Sequence, residues 1–531
     1  MRRSVFLTAA LTSAVLALSA CGGGAQTAEV SSTAPTDRTL KLAFLDDPGQ
    51  PPDPDVFYAG QGLVLQQNLY EGLLQYAPGT DTPEVQPALA TEWTASPDGT
   101  EYTFTLREGV TFHDGTPFDS SAVKASFDRR AAVGQGPSYM VSGVASVEAT
   151  SPTQVVVRLT QPDPAFLSYL ASAYGPRMIS PTALAENAGD DHAQTWLATH
   201  DAGTGPYTLT EASVGERYEL EAFDGYWGEA PYFTTVQIPV LNDSSALQVQ
   251  FNEGDVHAIM YGLGASASTS YAEAEGVSTH ALPVLQTEQL YLNPHKGFLT
   301  TPENRTALLQ AVDVDTIREQ VFGGRSTPAT GTFPANLLPE GTAPQTVEHD
   351  TGPLEDLVAT LPEDQKALTI GFDASNDDDQ TVSSLLAAEL GALGLTATVQ
   401  GLTTSQIFGY VGGDPTEAPE VLITGAWPDS GEAFSWAHII YDGAGGLNYL
   451  GCSDDALTAA IATASASSSV EDPAAWAPVG ERAEETACWL NLAYRQDFMV
   501  GQDWLTGVEE AHVVTAPTSL QLARLGVQGA S

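Results

Sequence analysis

Ser96-Pro97-Asp98-Gly99-Thr100, then Tyr102-Thr103-Phe104-Thr105-Leu106-Arg107, then Phe112-His113-Asp114-Gly115-Thr116-Pro117-Phe118 read as a turn, a strand and a second turn. Proline fixes φ at the second position of a tight turn, and glycine turns freely for want of a Cβ, so Pro97-Asp98-Gly99 reverses the chain. Tyr102, Phe104 and Leu106 alternate with threonines, the period-2 pattern of a strand with one buried face. Arg107-Glu108-Gly109 ends that strand. His113-Asp114-Gly115 sits in the second turn and is read as structural, not catalytic.

Outward from this stretch, strand-like and helix-like segments alternate along the whole chain. Leu40 to Phe44 is a short strand followed by a Pro/Asp-rich loop, Asp46 to Asp55, read as a rigid connection. Val64 to Leu74 has helical spacing, with Leu65, Leu69 and Leu73 on one face. Ser121 to Arg130 is a helix capped near Asp119 or Ser120. Gln154 to Leu159 and Val236 to Val240 are strands, and Ser245 to Asn252 is a helix closed by Gly254. Asn304 to Val312 is a helix. Leu368 to Phe372 is a strand, followed by an Asp-rich segment and a helix from Thr381 to Leu393. Leu395 to Val399 and Val421 to Thr424 are strands. This alternation means an α/β architecture with mixed sheets.

The chain has 531 residues, too many for one ordinary core, so two or three domains are expected. Acidic residues number 67 against 19 basic ones, four of them lysines: Lys41, Lys124, Lys296 and Lys366. A net charge of -48 repels nucleic acid and excludes it as a partner. The acids are spread along the chain, which reads as a solubility or salt-tolerance surface before an attraction for cationic solutes. No long uncharged apolar run follows residue 20, so no membrane-spanning body is expected.

Arg2 and Arg3 precede an apolar stretch from Val5 to Ala20 that ends Leu18-Ser19-Ala20-Cys21, the order of a secretory signal (residues 1–20). Residues 21–38 then hold Cys21 and a Gly/Ala/Ser/Thr-rich tether. Leu-Ser-Ala-Cys resembles a bacterial lipobox, which implies acylation of Cys21 and a place at the outer face of the cell membrane or in the periplasmic space. Cys452 and Cys488 remain. An even pair in an exported chain favours a disulfide, with two buried thiols as the alternative.

Ordered segments resemble the oligopeptide, dipeptide and nickel-type family of extracellular solute-binding proteins of ABC importers. They are Asn68-Leu69-Tyr70-Glu71-Gly72-Leu73, Pro87-Ala88-Leu89-Ala90 with Trp93, the opening stretch, Gly203-Thr204-Gly205-Pro206-Tyr207 and Phe223-Asp224-Gly225-Tyr226-Trp227. Arg305, Ala307, Leu308 and Ala311-Val312-Asp313 follow, then Asn448-Tyr449 and Asp454 to Leu457. The match runs from about residue 40 to about residue 515.

The resemblance implies a two-lobed periplasmic-binding-protein-like α/β fold. Lobe I would span 39–290, with an extra subdomain about 80–200, and would be completed by 491–531; lobe II would span 291–490. It also implies a monomeric receptor, not an enzyme, which binds a peptide or peptide-like solute between the lobes and needs no cofactor. Its partners would be an ABC permease and ATPase. Nickel chelates, opines and glycans are alternative solutes, and a secreted lipoprotein hydrolase is the alternative from another class.

In peptide-binding members, a Gly-Trp-x-x-Asp region supplies an aspartate for the peptide's ammonium. Gly425-Ala426-Trp427-Pro428-Asp429 follows the Val421 to Thr424 strand here, which makes Gly425, Trp427 and Asp429 the candidate ligand-binding residues. An ammonium shut off from water needs such a carboxylate, and an indole offers it a π face. The Trp lies one place later than in the family pattern, with Pro428 before the acid. For a ligand carboxylate, Arg177, Arg305, Arg325 and Arg495 are candidates.

Gly262-Leu263-Gly264-Ala265-Ser266-Ala267 fits a relaxed dinucleotide fingerprint but is read as a strand-to-helix turn. There is no phosphate-binding Gly-Lys-Ser/Thr loop, no H-E-x-x-H and no G-x-S-x-G. The nine histidines show no metal-ligand spacing. Asp373 to Asp379 lacks the glycine and terminal glutamate of a calcium loop and is read as a solvated turn.

Overall fold

In the computed structural model, which describes residues 33–529 apart from Asp46, Asn242 and 468–472, the opening turn closes on a hydrogen bond from Gly99 N to Ser96 O (2.9 Å), with Gly99 at φ +67°. The strand Glu101–Leu106 follows it and buries Tyr102, Phe104 and Leu106. It sits inside a four-stranded antiparallel sheet, in the order Ala90–Ala95, Glu101–Leu106, Gln154–Leu159, Val144–Ser151. The helix Ser120–Val133 packs on that sheet, with Asp119 accepting from Ser121 N and Gly134 in the left-handed region beyond its end. His113 is buried and ties the second turn to Asp201 and the Gly205 carbonyl, a structural role.

A second sheet joins Thr39–Lys41 in parallel to Thr235–Pro239, which continues antiparallel to Arg217–Ala222 and Tyr207–Ser213. The third sheet is the largest, with seven strands. Two long strands run through its middle, Val277–Leu292 and Trp489–Gln502, antiparallel to each other. The late end of Trp489–Gln502 pairs with Ala258–Ile259 and its middle with Ser326–Thr327, while the early end of Val277–Leu292 lies along its other edge. Their other ends carry Val421–Ala426, Ala367–Asp373 and Thr396–Leu402, the last three mutually parallel. Separate apolar cores lie on each sheet; Leu290, Ile370, Val421 and Ile423 face one side of the third, and Tyr291, Leu422 and Ala426 the other.

The structure departs from the sequence reading at two places. The helix expected over Val64 to Leu74 is Leu63–Leu69, and Tyr70 is already extended. The Asn68 amide donates to Leu520 O and the Glu71 carboxylate accepts from Thr204 Oγ1 and Trp227 Nε1, so tertiary bonds draw the chain off the helical path. Gly72 then passes so close to Leu170 O that a Cβ would stand 2.8 Å from it.

The Asp-rich segment is not a solvated turn. Asn376 caps the helix Asp377–Ala392, whose acidic first turn suits the positive end of the helix dipole. Asp378 is clamped by Arg325 at 2.6 and 3.0 Å and by Arg495 at 2.9 Å, and Asp379 is wholly buried. The strand-to-helix turn at Gly262 to Ala267 joins Ala258–Ile259 to Ala265–Ala272.

Cys452 and Cys488 are joined in a disulfide at a sequence separation of 36. It ties the start of the helix Asp455–Ser467 to the start of the long strand Trp489–Gln502. By the chain-entropy account such a loop is worth about 3–4 kcal/mol. Cys452→Ser with Cys488→Ser should therefore lower stability by that amount in urea denaturation, matching the effect of dithiothreitol on the parent. The candidate lipidation residue Cys21 lies outside the described residues, as does the signal segment.

Candidate functional site

The Pro/Asp-rich loop after the first strand is rigid because its acids are spent on buried arginines. Arg129 binds Asp53 at 2.6 and 2.8 Å and Asp55 at 2.6 Å; Arg130 binds Asp55 at 2.8 Å and the Pro54 carbonyl at 2.8 Å. All four side chains are at least nine-tenths buried. Burial raises the Asp53 carboxyl above its ordinary range, and Arg129 works against that. The pinned loop ends at Tyr58, whose ring stands edge-on to Tyr174 at 5.2 Å.

The strand Val421–Ala426 runs into Trp427-Pro428-Asp429. Asp429 is 7% exposed, neither a helix cap nor a solvated loop acid. Its carboxylate accepts from the hydroxyls of Tyr58 and of Tyr139 (2.5 Å), and its backbone carbonyl accepts from Ser172 Oγ. Tyr139 in turn lies edge-on to Tyr169 at 5.8 Å. Burial raises the Asp429 carboxyl, with the two phenols opposing the shift. Burial and the Asp429 charge push both phenols far above their ordinary range. Trp427 is half-buried against the Tyr58 loop, where a Cβ on Gly60 would stand 3.5 Å from its ring. Gly425 keeps the strand close to Gln286, whose Nε2 would meet a Cβ there at 3.0 Å.

The next residues press onto the same partner surface. Gly431 N donates to Tyr76 Oη at 2.6 Å. Glu432 is 5% exposed, accepts from Ser430 Oγ at 2.8 Å, and has its carboxyl pushed up to about 8 by burial. So the segment 429–432, carried by the third sheet, plugs into the part of the molecule built around the antiparallel sheet. Sequence reasoning named Gly425, Trp427 and Asp429, and missed Tyr58, Tyr139, Ser172 and Glu432.

None of the four candidate arginines binds the Asp429 carboxylate, and only Arg177 comes near, through the backbone of Ser172. Arg325 and Arg495 serve Asp378, with Arg495 also 3.5 Å from Glu288. Burial pushes Glu288 up to about 7. Arg305 donates to the carbonyls of Thr486 and Leu299. Arg177 donates to the Ser172 carbonyl, and burial lowers it to about 10.

A cavity of about 760 Å³ lies elsewhere, lined by Gln67, Glu71, Arg177, Trp227 and Arg524 among others. No residue of 425–432 reaches it. The contact at Asp429 is the site because it joins the third sheet to the part of the molecule built around the antiparallel sheet, whereas the cavity lies between the cores of the first two sheets and no strand of the third lines it. Among the described residues no cluster of three or more His, Cys, Asp or Glu could hold a metal, and no helix is long and apolar enough to cross a membrane.

A family model described as bacterial extracellular solute-binding proteins, family 5, middle region, matches residues 84–447. The probable D,D-dipeptide-binding periplasmic protein DdpA of Escherichia coli K12 is 28% identical over 365 residues, 68% of this chain and 70% of that one. Two solved structures share the fold. NikA from Brucella suis, in complex with Fe(III)-EDTA, superposes with a TM-score of 0.80 at 22% identity, covering 92% of this chain and 100% of its own. DppA from Helicobacter pylori, in complex with the peptide STSA, gives 0.78 at 21%, covering 92% and 98%.

Proposed function

The chain belongs to the bacterial extracellular solute-binding proteins of family 5, and from that premise we propose that it is the capturing subunit of an ABC importer for peptides or peptide-like solutes. Residues 39–290 and 491–531 form one lobe and 291–490 the other, and they close by hinge motion about the two long strands. A lipid on Cys21 holds the receptor at the outer face of the membrane, where the closed form meets its permease. The receptor acts as a monomer and returns its solute unchanged.

One observation carries this reading: a buried carboxylate, Asp429, sits where the two parts meet, and only neutral hydroxyls satisfy it. A buried charge without a counter-charge is costly. The amino group of a captured solute supplies that counter-charge in the closed form, with Trp427 and the tyrosines as its apolar walls. The relatives fit a solute with an amino group: DdpA is named for D,D-dipeptides, and DppA holds a peptide. The Fe(III)-EDTA in NikA shows that the same fold also holds metal chelates, which keeps a chelate as the second reading.

Native mass spectrometry of the purified protein tests this. A co-purified or added peptide should be retained by the parent and weakened by Asp429→Ala by about 30- to 1000-fold, on the order of 2–4 kcal/mol. Asp429→Asn keeps a hydrogen-bonding group for the tyrosines and should fold like the parent yet bind as weakly. Full affinity in both variants would remove Asp429 from the site.

A further inference from the structure

We infer that the solute bound at Asp429 is an organic cation that brings no free carboxylate into the site. This rests on the reading of Asp429 as the place where an amino group docks.

The site holds two buried carboxyls three residues apart, Asp429 and Glu432. Every polar partner of these side chains is a hydroxyl: Tyr58 and Tyr139 for Asp429, serines for Glu432. Glu432 Oε2 has no hydrogen-bond partner at all. Among the described residues, no lysine or arginine pairs with either acid. Asp163 adds a further negative charge facing Glu432.

A zwitterionic peptide needs a cation for its other end. The arginines able to provide one are held elsewhere. Arg129 and Arg130, behind the Tyr58 loop, are taken up by Asp53 and Asp55. Arg325 and Arg495 are taken up by Asp378 and Glu288, and Arg305 by backbone carbonyls. Arg177, the nearest, donates to the Ser172 carbonyl and lines the separate cavity that no residue of 425–432 reaches. A solute carboxylate entering here would meet the Asp429 carboxylate with no cation beside it, and like charges repel. A second amine would instead meet Glu432. The rings of Tyr58, Tyr139 and Trp427 add π faces, which attract ammonium groups and offer a carboxylate nothing. The net charge of -48 steers cations to the surface in the same sense. Peptides with blocked carboxyl ends and oligoamines have this chemistry.

The test is isothermal titration of the purified full-length chain at pH 7 with three peptides of one sequence: Ala-Ala-Ala amide, Ala-Ala-Ala free acid, and N-acetyl-Ala-Ala-Ala amide. Spermidine is the fourth probe. The amide is expected to bind at least about tenfold more tightly than the free acid. Free acid equal to or tighter than amide overturns the inference while leaving Asp429 as the ammonium partner, provided the acetylated peptide fails. An acetylated peptide that binds as well as the amide overturns the reading of Asp429 itself. Silence from all four probes at millimolar concentration overturns the inference.

Discussion

Asp55→Ala is expected to destabilise the protein by about 3–5 kcal/mol and to weaken solute binding with it. Asp55 is 1% exposed and is the one acid shared by Arg129 and Arg130. Its removal leaves Arg130 Nε buried with no counter-charge, while Arg129 keeps only Asp53. A guanidinium in that position retains its charge, so the cost falls on the fold. The loss spreads to the site because the same loop delivers Tyr58 to Asp429. Urea denaturation checks the first effect and titration of the folded variant the second. A change under about 1 kcal/mol would mean that water replaces the lost carboxylate and that the loop is not held by this cluster. Asp55→Asn, which keeps two hydrogen-bonding atoms, should fall between the parent and the alanine variant.

Glu432→Gln should make the protein more stable at alkaline pH, by on the order of 1–4 kcal/mol at pH 9. The sign follows from the direction of the shift. The folded carboxyl titrates at about 8, above its ordinary 4.5, because burial disfavours its charge. The native state therefore holds a proton that the unfolded chain has released, and stability falls as pH rises from about 4.5 through about 8. Glutamine is neutral throughout and removes this fall. Glu288, raised to about 7, imposes a similar slope that Glu432→Gln leaves in place, so the difference between variant and parent isolates Glu432. Thermal unfolding from pH 4 to pH 9 reads it. Parallel curves for parent and variant would show that Glu432 meets water in solution.

What was legible in the sequence depended on range. Local signals were sound: Asp119 and Gly254 mark helix ends where they were expected, and the Pro97-Asp98-Gly99 turn feeds the strand that its alternation predicts. The Gly-Ala-Trp-Pro-Asp segment stands out because it follows an apolar strand and fits a family pattern. The partners of Asp429 do not stand out. Tyr58 lies 371 residues away in a loop and Tyr139 lies 290 away in the short 3-10 helix Gly136–Val141, neither with a periodic pattern. Asp378 and Asp379 failed as a solvated turn for the same reason, since the arginines that bury them come from 53 and 117 residues away. Composition also misled about those arginines. A chain with few cations invites the view that any of them is free for a ligand, yet scarcity means that the buried acids of the fold claim them first.

The long strand Trp489–Gln502 and the residues after it bear on the order of events during synthesis. Asn68 is held by the backbone of Leu520 and Leu522, and Leu520, Leu522 and Leu525 complete the core that begins with Leu40 and Leu42. Leu40 and Leu42 thus wait for Leu520 and Leu522 before their own apolar surface is fully covered. Contacts of such sequence separation form slowly. That core therefore closes late, whereas the core around Phe104 and Phe127 is built almost wholly from residues 57–178 and needs no such distant partner to begin forming.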